Sequence, residues 1–178
     1  INEYRVILDD YFEYNSKIIK DVIKVRENIS TVEDLKAYQK EINALEKDIT
    51  LFQAEVVDKT IKKVKKNVDI IGFHGQTIFH NPEKKITKQL GDGRLLSQLS
   101  KKEVVYDFRK NDLINGGQGA PLTPIFHNVL ANKIHKAYNL EFPINILNIG
   151  GISNVTITVN ENDLDYVSKI YAYDIGLS

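Results

Sequence analysis

The residues best suited to chemistry lie between positions 104 and 127, where charged residues and glycines follow a short apolar run. Asp107 ends that run and Arg109 follows two residues later, which places a carboxylate beside a cation at a predicted strand end. Strand ends next to flexible loops commonly carry active-site residues. Asp107 could take a proton from a hydroxyl nucleophile, and Arg109 could contact an anion. The alternative is a surface turn with ordinary charges.

A glycine-rich loop follows this charged pair. It consists of Gly116, Gly117, Gln118 and Gly119. Glycine adopts backbone conformations that other residues avoid and lets a ligand approach the main chain closely. The sequence therefore predicts a mobile loop beside Asp107.

A second polar group follows the apolar run 68–73, which is typical of a buried strand. The group consists of His74, Gly75, Gln76 and Thr77. Its imidazole, amide and hydroxyl suit a sugar or another polyol better than a metal ion. His74 and His80 lie six positions apart, and neither belongs to an HExxH motif, so no metal site is predicted.

A third polar group lies at a predicted strand turn near the end of the chain. It consists of Gly150, Gly151, Ser153 and Asn154. Consecutive backbone N–H groups with a hydroxyl and an amide can hold phosphate oxygens. The alternative is a tight hairpin that uses glycine only for its positive φ.

Helices are expected to dominate the first 71 residues, because all ten glycines and all four prolines lie at or beyond Gly72. A short strand at 4–8 and a helix at 13–27 are predicted. Ser30 and Thr31, which precede Glu33 and Asp34, are the candidates for the N-cap of a longer helix. Apolar residues repeat every seven positions over 35–56, which indicates either a coiled-coil arm or an amphipathic helix, with a break near Thr50, packed on a domain.

The rest of the chain alternates between strand and helix patterns. Helices are predicted at 93–100 and from Pro121 to Tyr138. We predict His127, on the second of these, to be a packing residue or one that supports a site through another side chain. The predicted strands are 68–73, 78–80, 86–90, 104–107, 144–149, 155–159 and 169–173.

The composition excludes several classes of protein. The chain has 24 basic and 24 acidic residues, so no overall charge favours nucleic-acid binding. No run approaches the roughly 18 apolar residues of a membrane helix, and the absence of cysteine excludes disulfides. A cytoplasmic protein is expected. The chain begins at Ile1 without methionine, so either its start has been processed or it is a piece of a longer protein.

Five separated motifs together resemble the anhydro-N-acetylmuramic acid kinase family. They are GFHGQTIFHNP, QLGDG, DFRKNDLINGGQGAPLTPIFH, LNIGGISNVT and YDIG. The resemblance implies an α/β fold with ribonuclease-H-like lobes of the actin-like ATPase superfamily, incomplete here and with a helical N-terminal third. Residues 1–67 would be the helical part of a first lobe, 68–142 its sugar-site and catalytic part, and 143–178 the start of a second lobe.

The resemblance also implies an activity, in which 1,6-anhydro-N-acetylmuramic acid reacts with ATP and water to give N-acetylmuramic acid 6-phosphate during peptidoglycan recycling. ATP and Mg²⁺ are the implied cofactors. Asp107 would be the general base, while His74 to Thr77, Arg109 and residues 116–119 would contact the sugar. The implied nucleotide phosphate site consists of Gly150, Gly151, Ser153, Asn154, Asp174 and Gly176.

The sequence also departs from the family pattern. It lacks the first phosphate loop and most of the second lobe, so about half of the expected kinase is present. The expected partners are the amino sugar and ATP, with a homodimer or a complementing fragment as further options. The alternative function is a catalytically inactive remnant that binds a sugar or another protein.

Overall fold

The computed structural model describes residues 4–149 and 152–177. The chain divides into two compact units. The larger unit is Val6–Gly119, and the smaller unit comprises the described residues of Ile1–Arg5 and Ala120–Ser178. Both combine helices with small sheets, so the predicted α/β class is confirmed. The finer division into three segments stays a prediction.

Three helices open the larger unit: α1 (Ser16–Asn28), α2 (Val32–Ala37) and α3 (Gln39–Val64). Of the two N-cap candidates, the structure selects Thr31, because its hydroxyl accepts from the Asp34 N–H while the Asp34 carboxylate accepts from the Thr31 N–H. The predicted strand at 4–8 is wrong, since residues 4–15 have no regular structure.

The seven-residue repeat is explained by packing inside the larger unit. Ile42, Leu45 and Ile49 on α3 are buried with Ile18 and Val25 on α1. This arrangement supports the amphipathic-helix interpretation of the repeat over the coiled-coil arm.

The helix break lies at Tyr38 and not near Thr50, where the sequence predicted it. Thr50 lies within α3, where its hydroxyl donates to the Glu46 carbonyl oxygen at 2.7 Å and accepts from the Asp92 N–H at 2.9 Å. Both polar capacities of the buried Thr50 side chain are therefore satisfied within the fold.

Two small sheets complete the larger unit. Strands β1 (Ile70–Gly72) and β4 (Glu103–Val105) are parallel, whereas β2 (Gln76–Asn81) and β3 (Ile86–Leu90) form an antiparallel hairpin. Helix α4 (Gly93–Ser100), which was predicted, connects β3 to β4 and has Asp92 as its N-cap.

One element of the larger unit was missed, the helix α5 (Phe108–Ile114). The sequence predicted a strand up to Asp107 and then a loop, but β4 ends at Val105 and Asp107 is the N-cap residue of α5. A helix of seven residues is too short to show a recognisable periodic spacing of apolar residues, and the glycine cluster beside it indicates a loop.

The smaller unit packs helix α6 (Pro124–Tyr138) on an antiparallel sheet of β5 (Ile144–Asn148), β6 (Ile152–Thr158) and β7 (Tyr171–Leu177). A short 3₁₀ helix, Tyr166–Lys169, precedes β7. The three predicted strands are confirmed. The predicted helix start at Pro121 is wrong, because α6 begins at Pro124. Proline lacks an N–H and suits the first turn of a helix, so the sequence alone does not distinguish Pro121 from Pro124 as the first residue.

None of the helices in the described ranges has the length and hydropathy needed to span a membrane. The described part of the chain likewise contains no group of three or more acidic, histidine or cysteine side chains arranged to hold a metal ion.

Candidate functional site

His74 and Arg109 lie together in the larger unit. The Arg109 Nε–H donates to His74 Nε2 at 3.0 Å, and Arg109 Nη1 donates to the Gly119 carbonyl oxygen at 2.8 Å. Because Nε2 accepts a hydrogen bond, the ring proton is assigned to Nδ1, which lies 2.9 Å from the Gly75 carbonyl oxygen. One guanidinium group therefore joins the HGQT segment to the glycine loop, two motifs that the sequence placed in the same site.

Asp112 holds the glycine loop from the other side. Its carboxylate Oδ2 accepts from the Gly119 N–H at 2.7 Å, and its carbonyl oxygen accepts from the Gly117 N–H at 2.9 Å. Sequence reasoning did not select Asp112. Its spacing of three from Arg109 would have placed both on one helical face, but only if α5 had been predicted.

His80 lies against the same loop. Burial lowers the pKa of His80, and the nearby positive charge of Arg109 lowers it further, while a hydrogen bond with the Gln118 backbone partly opposes both effects. Its Nδ1 lies 3.1 Å from the Thr87 hydroxyl. Burial also lowers the pKa of Arg109. The neutral imidazole is therefore the form that suits this packed position beside a guanidinium group.

Replacing Gly119 by Ala should destabilise the chain by about 1–3 kcal/mol, because Gly119 has a φ of 72° that L-residues rarely adopt. The added methyl would also lie 2.9 Å from His80 Cε1 and 3.0 Å from Leu113 Cγ. Urea unfolding of both proteins measures the change in the free energy of unfolding.

Gly116→Ala is the matched control. Gly116 also has a positive φ, 94°, but nothing lies within 4 Å of the position that a Cβ would take. Gly119→Ala should therefore cost more stability than Gly116→Ala. Equal losses from the two variants would mean that the contacts with His80 and Leu113 do not restrict the loop.

Gln76 and Thr77 begin strand β2, directly after the Gly75 turn. Gly75 has a φ of 71°, and a Cβ there would lie 2.4 Å from the Leu90 carbonyl oxygen, so glycine is required for this close approach. Thr77 pairs with Gln89 on β3. The turn thus places the amide and hydroxyl groups of HGQT on the hairpin that borders the site.

Asp107 has a left-handed backbone, with φ 59° and ψ 32°, at the N-cap of α5. Its side chain forms no capping hydrogen bond and is 52% exposed. The nearest cation is Lys110, whose Nζ lies 4.0 Å from Asp107 Oδ2. A partly exposed carboxylate that makes no capping hydrogen bond can still accept a proton from a group that approaches it.

Asp107 lines a polar cleft of about 290 Å³. The charged residues of the cleft are Glu46, Lys88, Asp92, Asp107 and Lys110. The Lys88 ammonium group donates to Glu46 Oε1 at 2.6 Å, and this ion pair links β3 to α3. Sequence reasoning missed Glu46 and Lys88, because Glu46 lies in the middle of a long helix and no local pattern distinguishes it from a solvent-exposed acid.

The predicted phosphate-binding residues lie in the smaller unit. Gly150 and Gly151 lie outside the described residues. On β6, Ser153 pairs with Gly176 and Asn154 pairs with Asp174 of β7, while Asn154 also pairs with Asn148 of β5. Directly opposed residues share one face of a sheet, so two amides and a carboxylate form a polar row across the three strands. The side chains of such a row can donate hydrogen bonds to a polar ligand and accept hydrogen bonds from it.

His127 packs in the smaller unit, as the sequence predicted. Its Nδ1 lies 2.7 Å from the Thr156 hydroxyl, which is itself fully buried in the sheet. Burial lowers the pKa of His127. The neutral side chain therefore joins α6 to β6 by a hydrogen bond.

Comparisons with known proteins identify relatives along almost the whole chain. A family model described as anhydro-N-acetylmuramic acid kinase matches residues 7–176. A protein of that name from Pelagibacter ubique is 49% identical over 175 residues, which is 98% of this chain and 44% of the relative. One from Rhizobium etli is 43% identical over 139 residues, 76% of this chain and 35% of the relative. The chain spans less than half the length of these curated relatives.

Proposed function

Because the chain belongs to the anhydro-N-acetylmuramic acid kinase family, we propose that it forms part of an ATP-dependent kinase that converts 1,6-anhydro-N-acetylmuramic acid to N-acetylmuramic acid 6-phosphate. The observation that carries this proposal is the hydrogen-bonded group of His74, Arg109 and Gly119. It unites two of the motifs on which the resemblance rests. We further propose that both units belong to ribonuclease-H-like lobes and that the kinase acts in the cytoplasm.

Asp107 is the general base of the proposed reaction. Its carboxylate takes a proton from water while the water oxygen forms a bond to the anhydro carbon of the sugar. The bond from that carbon to the bridging oxygen breaks, and the bridging oxygen takes the γ-phosphoryl group as ADP leaves. The free and partly exposed carboxylate of Asp107 supports this role, since a base must reach its proton donor directly or through one water.

The sugar contacts are assigned to the HGQT segment and the glycine loop. His74, Gln76 and Thr77 offer the polar groups, with Gly75 forming the turn that presents them. Arg109 and the loop residues Gly116, Gly117, Gln118 and Gly119 would complete this side of the sugar site. The hydrogen bonds of Arg109 hold the two segments at a fixed separation, which favours one orientation of a rigid bicyclic sugar.

The nucleotide phosphates are assigned to Gly150, Gly151, Ser153, Asn154, Asp174 and Gly176. The polar row that includes Asn154 and Asp174 supports this assignment, since its amide can donate to phosphate oxygens. Asp174 is also a suitable ligand for Mg²⁺, because Mg²⁺ at phosphate sites typically uses one or two carboxylates and keeps several waters. Bound there, the ion would neutralise phosphate charge.

The test is a chimeric kinase in which this chain replaces the matching 175 residues of the Pelagibacter ubique relative. We expect the purified chimera to form ADP only when both ATP and 1,6-anhydro-N-acetylmuramic acid are present. The unmodified relative is the positive control. This chain by itself should show at most trace turnover, because it spans 44% of that relative.

The alternative is a catalytically inactive remnant that binds a sugar or another protein. A chimera that folds, with the circular dichroism of the unmodified relative, and yet forms no product would favour this alternative. Product formation by the chimera would instead show that the residues of this chain support the reaction.

A further inference from the structure

Three positively charged side chains of the larger unit, Arg109, Lys88 and Lys110, differ in the hydrogen bonds and ion pairs that they form within the protein. Arg109 donates its Nε–H to His74 Nε2 and an Nη1–H to the Gly119 carbonyl oxygen. Lys88 forms a 2.6 Å ion pair with Glu46, and both of these side chains are largely shielded from solvent. Each of these two positive charges therefore joins segments of the larger unit that are distant in the sequence.

Lys110 has no such commitment in the cleft. Its Nζ lies 4.0 Å from Asp107 Oδ2, beyond the usual range of about 2.7–3.2 Å for an N–H···O hydrogen bond. The side chain is 65% exposed and lines the same cleft as Asp107. Its three N–H donors are thus available to a ligand that enters the cleft.

The charges of the cleft restrict where an anionic group can bind. Three carboxylates and two ammonium groups line it, so a ligand carboxylate would be repelled by most positions along the wall. Since Lys88 is neutralised by Glu46, the favourable position is against Lys110.

We propose that Lys110 binds the lactyl carboxylate of the muramyl sugar and so determines the specificity of the site for it. This inference rests on the proposed function, which names a sugar whose lactyl ether carries a carboxylate. A glucosamine sugar lacks that ether and offers no charge to Lys110. The site therefore selects the muramyl sugar through one charge-assisted hydrogen bond, with Asp107 one turn earlier on α5 left free for the reaction.

The test measures binding of N-acetylmuramic acid and N-acetylglucosamine to this chain by NMR titration. The two probes differ by the lactyl ether alone. We expect the wild-type chain to bind the muramyl probe more tightly, and Lys110→Gln to weaken its binding by about 5- to 30-fold, as for loss of a partly exposed charged hydrogen bond. Binding of the glucosamine probe should change by less than about twofold.

Two further variants make the test specific. Lys110→Arg keeps the positive charge and should retain the preference for the muramyl probe. Lys40→Gln removes the same charge from an exposed position on α3 and should leave both affinities unchanged. Raising the salt concentration should weaken only the muramyl interaction, since exposed ion pairs are screened.

Several outcomes would overturn the inference: equal affinities of the wild-type chain for both probes, no binding of either probe, or equal losses for both probes in Lys110→Gln. None of these outcomes decides the proposed function, because turnover by the chimeric kinase is measured separately. An active chimera whose KM for the muramyl sugar is unaffected by Lys110→Gln would reject the role of Lys110 and leave the kinase assignment in place.

Discussion

Replacing Asp107 by Asn in the chimeric kinase should lower kcat by about 100- to 10,000-fold, the usual contribution of a positioned general base. Asparagine keeps the size of the side chain and cannot accept the proton of the attacking water. Substrate binding should change little, so the loss should fall on kcat and not on KM. Steady-state kinetics with 1,6-anhydro-N-acetylmuramic acid measures both constants.

Asp112→Asn is the matched control, because Asp112 is a second carboxylate on α5, the helix that Asp107 caps. Its Oδ2 accepts from the Gly119 N–H, and the amide oxygen of Asn could still accept that hydrogen bond. We therefore expect a smaller loss of kcat from this variant. If Asp107→Asn kept its turnover, the role of Asp107 as the general base would be rejected.

Replacing Ile49 by Ala should destabilise the larger unit by about 2–5 kcal/mol, as large-to-small substitutions of fully buried side chains do. Ile49 is 0% exposed and belongs to the cluster that joins α3 to α1 and to the β2–β3 hairpin. The loss of stability has two sources. Fewer apolar atoms are removed from water on folding, and the truncated side chain leaves a cavity in the core. Urea unfolding followed by circular dichroism measures it.

Leu51→Ala is the control on the same helix. Leu51 is 41% exposed, so its truncation removes less buried surface and should cost clearly less stability than Ile49→Ala. Because alanine favours the helix at both positions, a loss from Leu51→Ala as large as that from Ile49→Ala would mean that burial does not determine the effect. A loss under about 1 kcal/mol from Ile49→Ala would contradict the close packing of this core.

The Ile49 prediction also concerns the candidate site. Glu46 and Thr50 flank Ile49 on α3, and their side chains contact Lys88 and the N–H of Asp92 respectively. One face of this helix thus holds both the core and a wall of the cleft that Asp107 lines. Loosening the core should shift the NMR signals of the cleft residues before it unfolds the unit.

Local patterns in the sequence determined most of the secondary structure. The spacing of apolar residues identified α1 and α3, and the short runs at 78–80 and 86–90 identified the two strands of the β2–β3 hairpin. These predictions succeeded because period and turn chemistry depend on neighbouring residues alone. The start of α6 was not determined, since Pro121 and Pro124 carry the same local signal.

The sequence also determined the family, because five separated motifs in one order are far more specific than any one of them. The family match over residues 7–176 confirms that resemblance. The roles of the individual motif residues, Asp107 among them, stay predictions, because a resemblance transfers a function without showing which atoms meet.

Only the tertiary structure decided which charged groups meet around Asp107. Glu46 and Lys88 lie 42 positions apart in the chain and form an ion pair because α3 packs against β3. Arg109 reaches His74 across 35 positions through the placement of α5. Such contacts follow from how distant elements pack, and no local period or spacing encodes them. The sequence could therefore name Asp107 and Arg109, while the fold showed that Arg109 joins two motifs and that the Lys110 ammonium group lies 4.0 Å from the Asp107 carboxylate.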